Sequence, residues 1–179
     1  MKIADLMTRD VITCGPEDSA DQAARLMWEH DCGVIPVVDA QRRPIGMITD
    51  RDVCMAGYTM GRRLVDIRVG DVMTRNVQTC SPEEPVAAAE FAMRQRHVRR
   101  LPVIDSELRL VGLLSLNDLA RVAAKDDRKP ANGLTRDTVA ETLASISESW
   151  CSINARPAHR PDPARSQRGS VVSVPTVAR

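Results

Sequence analysis

The chain has 179 residues, a formal net charge of +1 and 43% hydrophobic residues, enough for one or two packed domains. Its aromatics are Trp28, Tyr58, Phe91 and Trp150 alone, so the core must be aliphatic, and both the stacking platforms and the concentrated basic face of a nucleic-acid binder are missing. No apolar run reaches the roughly 18–20 residues of a membrane span, and Met1-Lys2 opens no signal-peptide core. A soluble, cytoplasmic protein without nucleic-acid or membrane partners is therefore expected.

Residues 5–53 and 71–119 repeat one another in unbroken register, 66 residues apart, with 17 of 49 positions identical. Asp5-Leu6-Met7-Thr8-Arg9 returns as Asp71-Val72-Met73-Thr74-Arg75, and Thr13-Cys14-Gly15-Pro16-Glu17 as Thr79-Cys80-Ser81-Pro82-Glu83. Two copies are too few for a solenoid, so they must pack on each other.

Each copy opens with a short β-prone run, Val11–Cys14 or Val77–Cys80. A helix start is expected next, with Ser81 as N-cap, Pro82 in the first turn and Glu84 closing a capping box. Gly15, Pro16 and Asp18 play these parts in the first copy. Ala20, Ala23, Ala24 and Met27, and Val86, Ala89 and Met93, then recur at helical spacing. The β-branched run Val34–Val38, a turn at Gln41–Arg43 and a second run Ile45–Ile48 predict a hairpin, with Pro36 and Pro102 expected at strand starts or edges. A second helix starts near Thr49 or Ser115, so each copy reads β-α-β-β-α. A short amphipathic helix is expected over Asp137–Ser147, with Val139, Leu143 and Ile146 on one face.

These elements divide the chain into 1–66, the first repeat with its connector; 67–125, the second repeat; 126–151, a linker with the short helix; and 152–179, a tail. The tail carries four prolines, five arginines and one acid and is expected to be disordered. The five cysteines (14, 32, 54, 80, 151) are odd in number and form no C-x-x-C pair. They read as reduced thiols, not a disulfide framework or zinc site. No Ser-His-Asp set, P-loop or paired-carboxylate pattern stands out, His30, His97 and His159 lack metal-ligand spacing, and no enzyme is suggested.

The motif with chemical content is Gly-apolar-apolar-Ser/Thr-x-x-Asp: Gly46…Thr49…Asp52 and Gly112…Ser115…Asp118. A carboxylate at a strand-to-helix corner can accept both hydroxyls of a ribose, and a hydroxyl beside free helix N–H groups suits a phosphate. The glycine lets something approach the backbone closely. The same residues also spell a plain helix capping box, and the two readings are compatible.

With the "MTRDVITC" opening, the "IPVVD" and "LPVID" strands and the "GMITDRD" and "GLLSLND" ends, residues 1–123 resemble a tandem CBS-domain protein of the stand-alone bacterial type. The resemblance implies an α/β (α+β) fold of two pseudo-twofold-related β-α-β-β-α repeats packed sheet to sheet, with clefts that often take adenine nucleotides. Carried over by residue, Thr49 and Asp52 serve one cleft, Ser115 and Asp118 the other. Thr13 and Thr79 lie beside the bases, and Arg99 and Arg100 contact phosphates. The first copy has Gly33-Val34 at the place of the arginines, so the second cleft is expected to bind more strongly.

Three functional readings stand. The first is a regulatory module that senses AMP, ADP, ATP or S-adenosylmethionine, holds no tight cofactor and signals to an unknown effector protein, since no effector domain is attached. The second is a ligand-free dimerisation or interaction block whose motifs are caps only. The third is a thiol sensor using Cys14 and Cys80. A homodimer is expected, with Met27, Trp28 and Met93 contributing.

Overall fold

A computed structural model of the chain describes residues 1–125 and 134–154. The first repeat runs α1 (Ala20–Glu29), β1 (Val34–Val38), β2 (Pro44–Thr49) and α2 (Asp50–Met60); a short α3 (Val69–Val72) follows. The second runs α4 (Val86–Arg96), β3 (Arg100–Ile104), β4 (Leu110–Ser115) and α5 (Leu116–Lys125), and α6 (Arg136–Asn154) comes last. Both hairpins are antiparallel and in matching register, Val34 opposite Thr49 and Arg100 opposite Ser115. Asp39 sets the first hairpin turn by accepting the Gln41 and Arg43 N–H groups (2.9 and 2.8 Å), and Asp105 does the same for Glu107 and Arg109.

The helix starts lie later than the sequence suggests. Gly15 N–H does donate to Asp18 Oδ2 (2.7 Å) and Ser81 N–H to Glu84 Oε1 (3.0 Å), but these bonds close a turn, not a helix. α1 begins after Ser19, whose hydroxyl accepts from Gln22 N–H, and α4 begins after Pro85.

The opening strand of each repeat shrinks to one parallel bridge, Cys14 to Val37 and Cys80 to Val103. Cys14 N–H donates to Pro36 O and Val38 N–H to Cys14 O. The next bond of such a ladder would need the N–H of Pro36, which proline lacks. The expected three-stranded sheets are therefore hairpins with a single bridge at that edge. Pro36 and Pro102 sit mid-strand and not at strand starts. Their partners Met47 and Leu113 turn outward to exchange paired 2.9 Å bonds with Thr74 and Thr8, so no hairpin bond is lost.

Those outward bonds cross between the repeats. Thr8, ahead of the first repeat, bridges β4, and Thr74, ahead of the second, bridges β2. Each leader also bonds the turn before the other repeat's first helix: Ile3 N–H to Glu84 O, and Gly70 N–H to Pro16 O. Ile3 and Met7 thereby lie in the core of the second repeat, with Val86, Leu101 and Leu114. Val69 and Met73 lie in that of the first, with Ile35, Val37 and Ile48. The motif glycines serve this crossing. A Cβ on Gly112 would strike Met7 Sδ and lie 3.1 Å from Thr8 O; one on Gly46 would strike Met73 Sδ and lie 3.2 Å from Thr74 O. The close approach anticipated for a ligand is made by the other repeat's leader.

α6 lies across α4 and α5. Its buried face is Val139, Thr142 and Ile146, while Leu143, expected inside, is 47% exposed. The reason is polar: Thr142 Oγ1 donates to Glu90 Oε1 (2.8 Å) and accepts from Arg94 (3.2 Å), which sets the helix rotation. The helix takes in 152–154, assigned to the tail by sequence. Linker residues 126–133 and the remaining tail, 155–179, lie outside the described residues. Among the described residues no helix is long and apolar enough to cross a membrane.

Candidate functional site: two strand-to-helix corners

At the end of β2, Thr49 holds an extended backbone and caps α2. Its hydroxyl accepts Asp52 N–H (3.1 Å), and Asp52 Oδ2 accepts both Thr49 N–H (2.9 Å) and Thr49 Oγ1–H (2.8 Å). At the end of β4, Ser115 and Asp118 repeat the pattern at 3.3, 2.8 and 2.6 Å. Both motifs are thus complete capping boxes, worth about 0.5–2 kcal/mol each on the usual scale of N-caps.

The cap uses one oxygen of each carboxylate. Every bond the cap places on the carboxylate ends on Oδ2, so Oδ1 is left for another donor. In the second corner that donor is Arg121, whose Nη2 lies 2.7 Å from Asp118 Oδ1. Asp118 is only 9% exposed. At the equivalent place on α2 stands Met55, which offers no such donor. Arg121 was not singled out from the sequence; its i+3 spacing from Asp118 was the available signal.

Arg100 opens β3 half-buried and directly opposite Ser115, while Arg99 is exposed and its carbonyl accepts Leu116 N–H (2.9 Å). Ser115, Asp118, Arg99 and Arg100 thus meet at one corner. The first corner has Val34 opposite Thr49, and Gly33 O accepting Asp50 N–H (3.2 Å), with no cation at either position. Thr79 lines a separate cavity of about 540 Å³ bordered by Ser81, Glu83, Asp105 and Leu108, which none of those four residues borders. Thr13 is half-buried beside Cys14. Arg94 and His97 face α6: Arg94 pairs with Glu90 and Glu141, and His97 Nδ1 lies 3.2 Å from Ser145 O.

Cys14 and Cys80 are buried in different core clusters. Burial, helped by Asp18 and Glu84 respectively, pushes each thiol up to about 12. Both stay protonated at neutral pH, unlike the thiolate a sensor needs.

The CBS domain family model matches this chain twice, over residues 3–58 and 69–125. The chain is 33% identical over 145 residues to the CBS domain-containing protein YhcV of Bacillus subtilis, covering 81% of this chain and 94% of that protein. It is 30% identical over 122 residues to an uncharacterized protein of Methanopyrus kandleri, MK0525, of which it spans 62%. It is also 30% identical over 120 residues to a homoserine O-acetyltransferase of Methanohalobium evestigatum, of which it spans only 24%. Among solved structures, the CBS domain pair of protein MJ0100 in complex with 5′-methylthioadenosine and S-adenosyl-L-methionine superposes with a TM-score of 0.64 at 26% identity, over 71% of this chain and 98% of that one. CBSX2 in complex with AMP superposes at 0.62 and 26%, over 71% and 98%. Two family matches, and two repeats that exchange their leaders across a shared sheet arrangement, establish that this chain belongs to the CBS-domain family as a tandem pair.

Proposed function

We propose that the chain is a regulatory module that binds an adenosine-containing ligand (AMP, ADP, ATP or S-adenosylmethionine) at its two strand-to-helix corners and signals occupancy to a partner. The observation that carries this reading is the carboxylate oxygen that each cap leaves over. Each capping aspartate spends Oδ2 on its helix and keeps Oδ1 for a further donor, and in the second corner Arg121 demonstrates that this oxygen accepts one. A ribose hydroxyl would take the same position. Arg99 and Arg100 would meet phosphates at the second corner, Ser115 and Thr49 would sit beside them, and Thr13 and Thr79 would flank the bases. The solved pairs with methylthioadenosine, S-adenosylmethionine and AMP support the ligand class.

Signalling requires that the ligand bind one mutual arrangement of the repeats better than another. The crossed leaders supply a mechanical link, because each corner's strand is bonded to a segment that continues into the other repeat. The module acts in the cytoplasm as a homodimer. The completed caps favour one rival, a ligand-free interaction block.

A thermal-shift and calorimetric series with AMP, ADP, ATP and S-adenosylmethionine separates the two. At ligand about 100-fold above its Kd, linkage adds about 2.7 kcal/mol, a rise of about 5–15 °C for a domain of this size. A flat response from folded protein to all four ligands overturns the sensor and leaves the interaction block.

A further inference from the structure

The two corners carry opposite charge. The loop and helix start that form the second, 97–100 and 115–121, hold Arg99, Arg100 and Arg121 against Asp118, a formal net charge of +2 with His97 neutral. The equivalent stretches of the first, 31–34 and 49–55, hold Asp31, Asp50 and Asp52 against Arg51, a net charge of −2.

The reversal falls where the second corner places its phosphate cations. Asp50 N–H donates to Gly33 O (3.2 Å) just as Leu116 N–H donates to Arg99 O (2.9 Å), so Asp50 and Gly33 stand where Leu116 and Arg99 stand. A Cβ on Gly33 would lie 3.1 Å from Asp50 Oδ2. The carboxylate thus takes the space at the root of the side chain that Arg99 carries in the second corner. Trp28, Asp31, Gly33 and Asp50, with Met27 and Val53, line a groove of about 410 Å³, within the roughly 300–1,000 Å³ that takes a small molecule. Asp31 and Asp50 are exposed, and Trp28 is 88% exposed.

We propose that the corners sort adenosine ligands by the charge on their 5′ substituent: the second takes a 5′-phosphate and the first a 5′-sulfonium, with Asp31 and Asp50 as the selecting residues. This deepens the proposed function and rests on it. With the ribose on Asp52, a 5′ substituent directed past Gly33 meets two carboxylates and an indole. Both acids repel a phosphate there, and Gly33 and Val34 supply no cation to offset them. The Thr49 hydroxyl does not help, because the cap already spends its proton on Asp52 (2.8 Å). A sulfonium carries a fixed positive charge and no N–H or O–H on that centre. It therefore needs no hydrogen-bond partner and is stabilised by nearby carboxylates and an aromatic face through charge alone. Its S-methyl and methylene groups suit the apolar side chains of Met27 and Val53.

Calorimetry on the full chain with S-adenosylmethionine, neutral 5′-methylthioadenosine and AMP tests this. In Asp118→Ala, which removes the second corner's ribose acceptor, S-adenosylmethionine should bind about 10-fold tighter than AMP, with 5′-methylthioadenosine between them. Adding Asp31→Asn/Asp50→Asn should weaken S-adenosylmethionine about 3-fold and tighten AMP about 3-fold, the scale of screened surface charges, and so bring the two near parity. In Asp52→Ala the order should reverse, AMP binding tighter. A second measurement needs no variant to fold: in wild type, AMP that saturates its stronger site should leave the S-adenosylmethionine isotherm in place, since the two ligands occupy different corners. Full competition between them, AMP equal to or tighter than S-adenosylmethionine in Asp118→Ala, no binding at the first corner, or a ratio unmoved by the asparagines overturns the sorting and leaves the sensor standing. No binding of any of the three to folded wild type overturns the sensor and the sorting together.

Discussion

Arg121 Nη2 sits 2.7 Å from Asp118 Oδ1 and so occupies the oxygen that a ribose would claim. The second corner is thus the better equipped with cations and also the one already engaged. The guanidinium is 73% exposed, so the pair is a surface ion pair, worth about 0.2–1 kcal/mol after solvent screening. Arg121→Met, which copies Met55, should tighten nucleotide binding at the second corner by about 1.5–5-fold in calorimetry, the same energy expressed as an equilibrium. Weakened binding would show instead that Arg121 assists the ligand.

The caps predict a ligand-independent effect. Asp52→Ala and Asp118→Ala should each lower apo stability by about 0.5–2 kcal/mol in urea titration. Asp118→Ala should cost more, because it also strips a buried carboxylate from Arg121. In the presence of nucleotide Asp118→Ala should abolish most of the thermal shift and Asp52→Ala less of it. Equal loss from both would place the ligand evenly between the corners.

Much of this architecture is legible in the sequence. Val34–Val38 and its repeat are too short and β-branched for helices, and they form hairpins whose turns are closed by Asp39 and Asp105. Thr49-x-x-Asp52 and Ser115-x-x-Asp118 announce their helix starts, and both are caps. What fails is anything decided by the partner. Gly15–Asp18 has the local grammar of a capping box, yet Asp18 O accepts Val69 N–H, and α1 opens only at Ala20, whose N–H donates to Ile67 O. Met27 and Met93, expected at a dimer surface, are buried in the two cores, and only Trp28 points outward. The leaders' exchange is invisible to periodicity, because Met7 and Met73 fit either repeat equally well. The signal is the other copy's glycine: Gly112, 105 residues after Met7, and Gly46, 27 residues before Met73, are the glycines those methionines pack on.

The buried thiols predict both reactivity and pH dependence. At pH 8 a thiol reagent should modify exposed Cys54 and spare Cys14 and Cys80 until the chain unfolds. Their folded values are raised to about 12 from an ordinary thiol value near 9. Below pH 9 both states hold the protons and this contribution is fully retained. Between about pH 9 and 12 the unfolded chain releases protons that the folded chain keeps, so stability falls as pH rises. Cys14→Ala/Cys80→Ala should flatten that alkaline slope, and an unchanged slope would assign it to other groups.

The crossed leaders predict that damage at one end of the chain surfaces in the distant repeat. Ile3 is fully buried, 82 residues from Pro85, against the second repeat's core and not the first's. Ile3→Ala removes buried methylenes and leaves a cavity, at a cost of about 2–5 kcal/mol. Hydrogen exchange should then accelerate in β3, β4 and α4 before β1 and β2. Val69→Ala is its mirror, with Val69 fully buried in the first repeat's core. It should loosen β1, β2 and α1 first, and cost less because valine is smaller. Ile3 and Val69 lie in separate cores, so the double variant should cost about the sum of the two if the repeats unfold as one unit. Exchange confined to the repeat that carries each substitution in sequence would contradict the exchange of leaders.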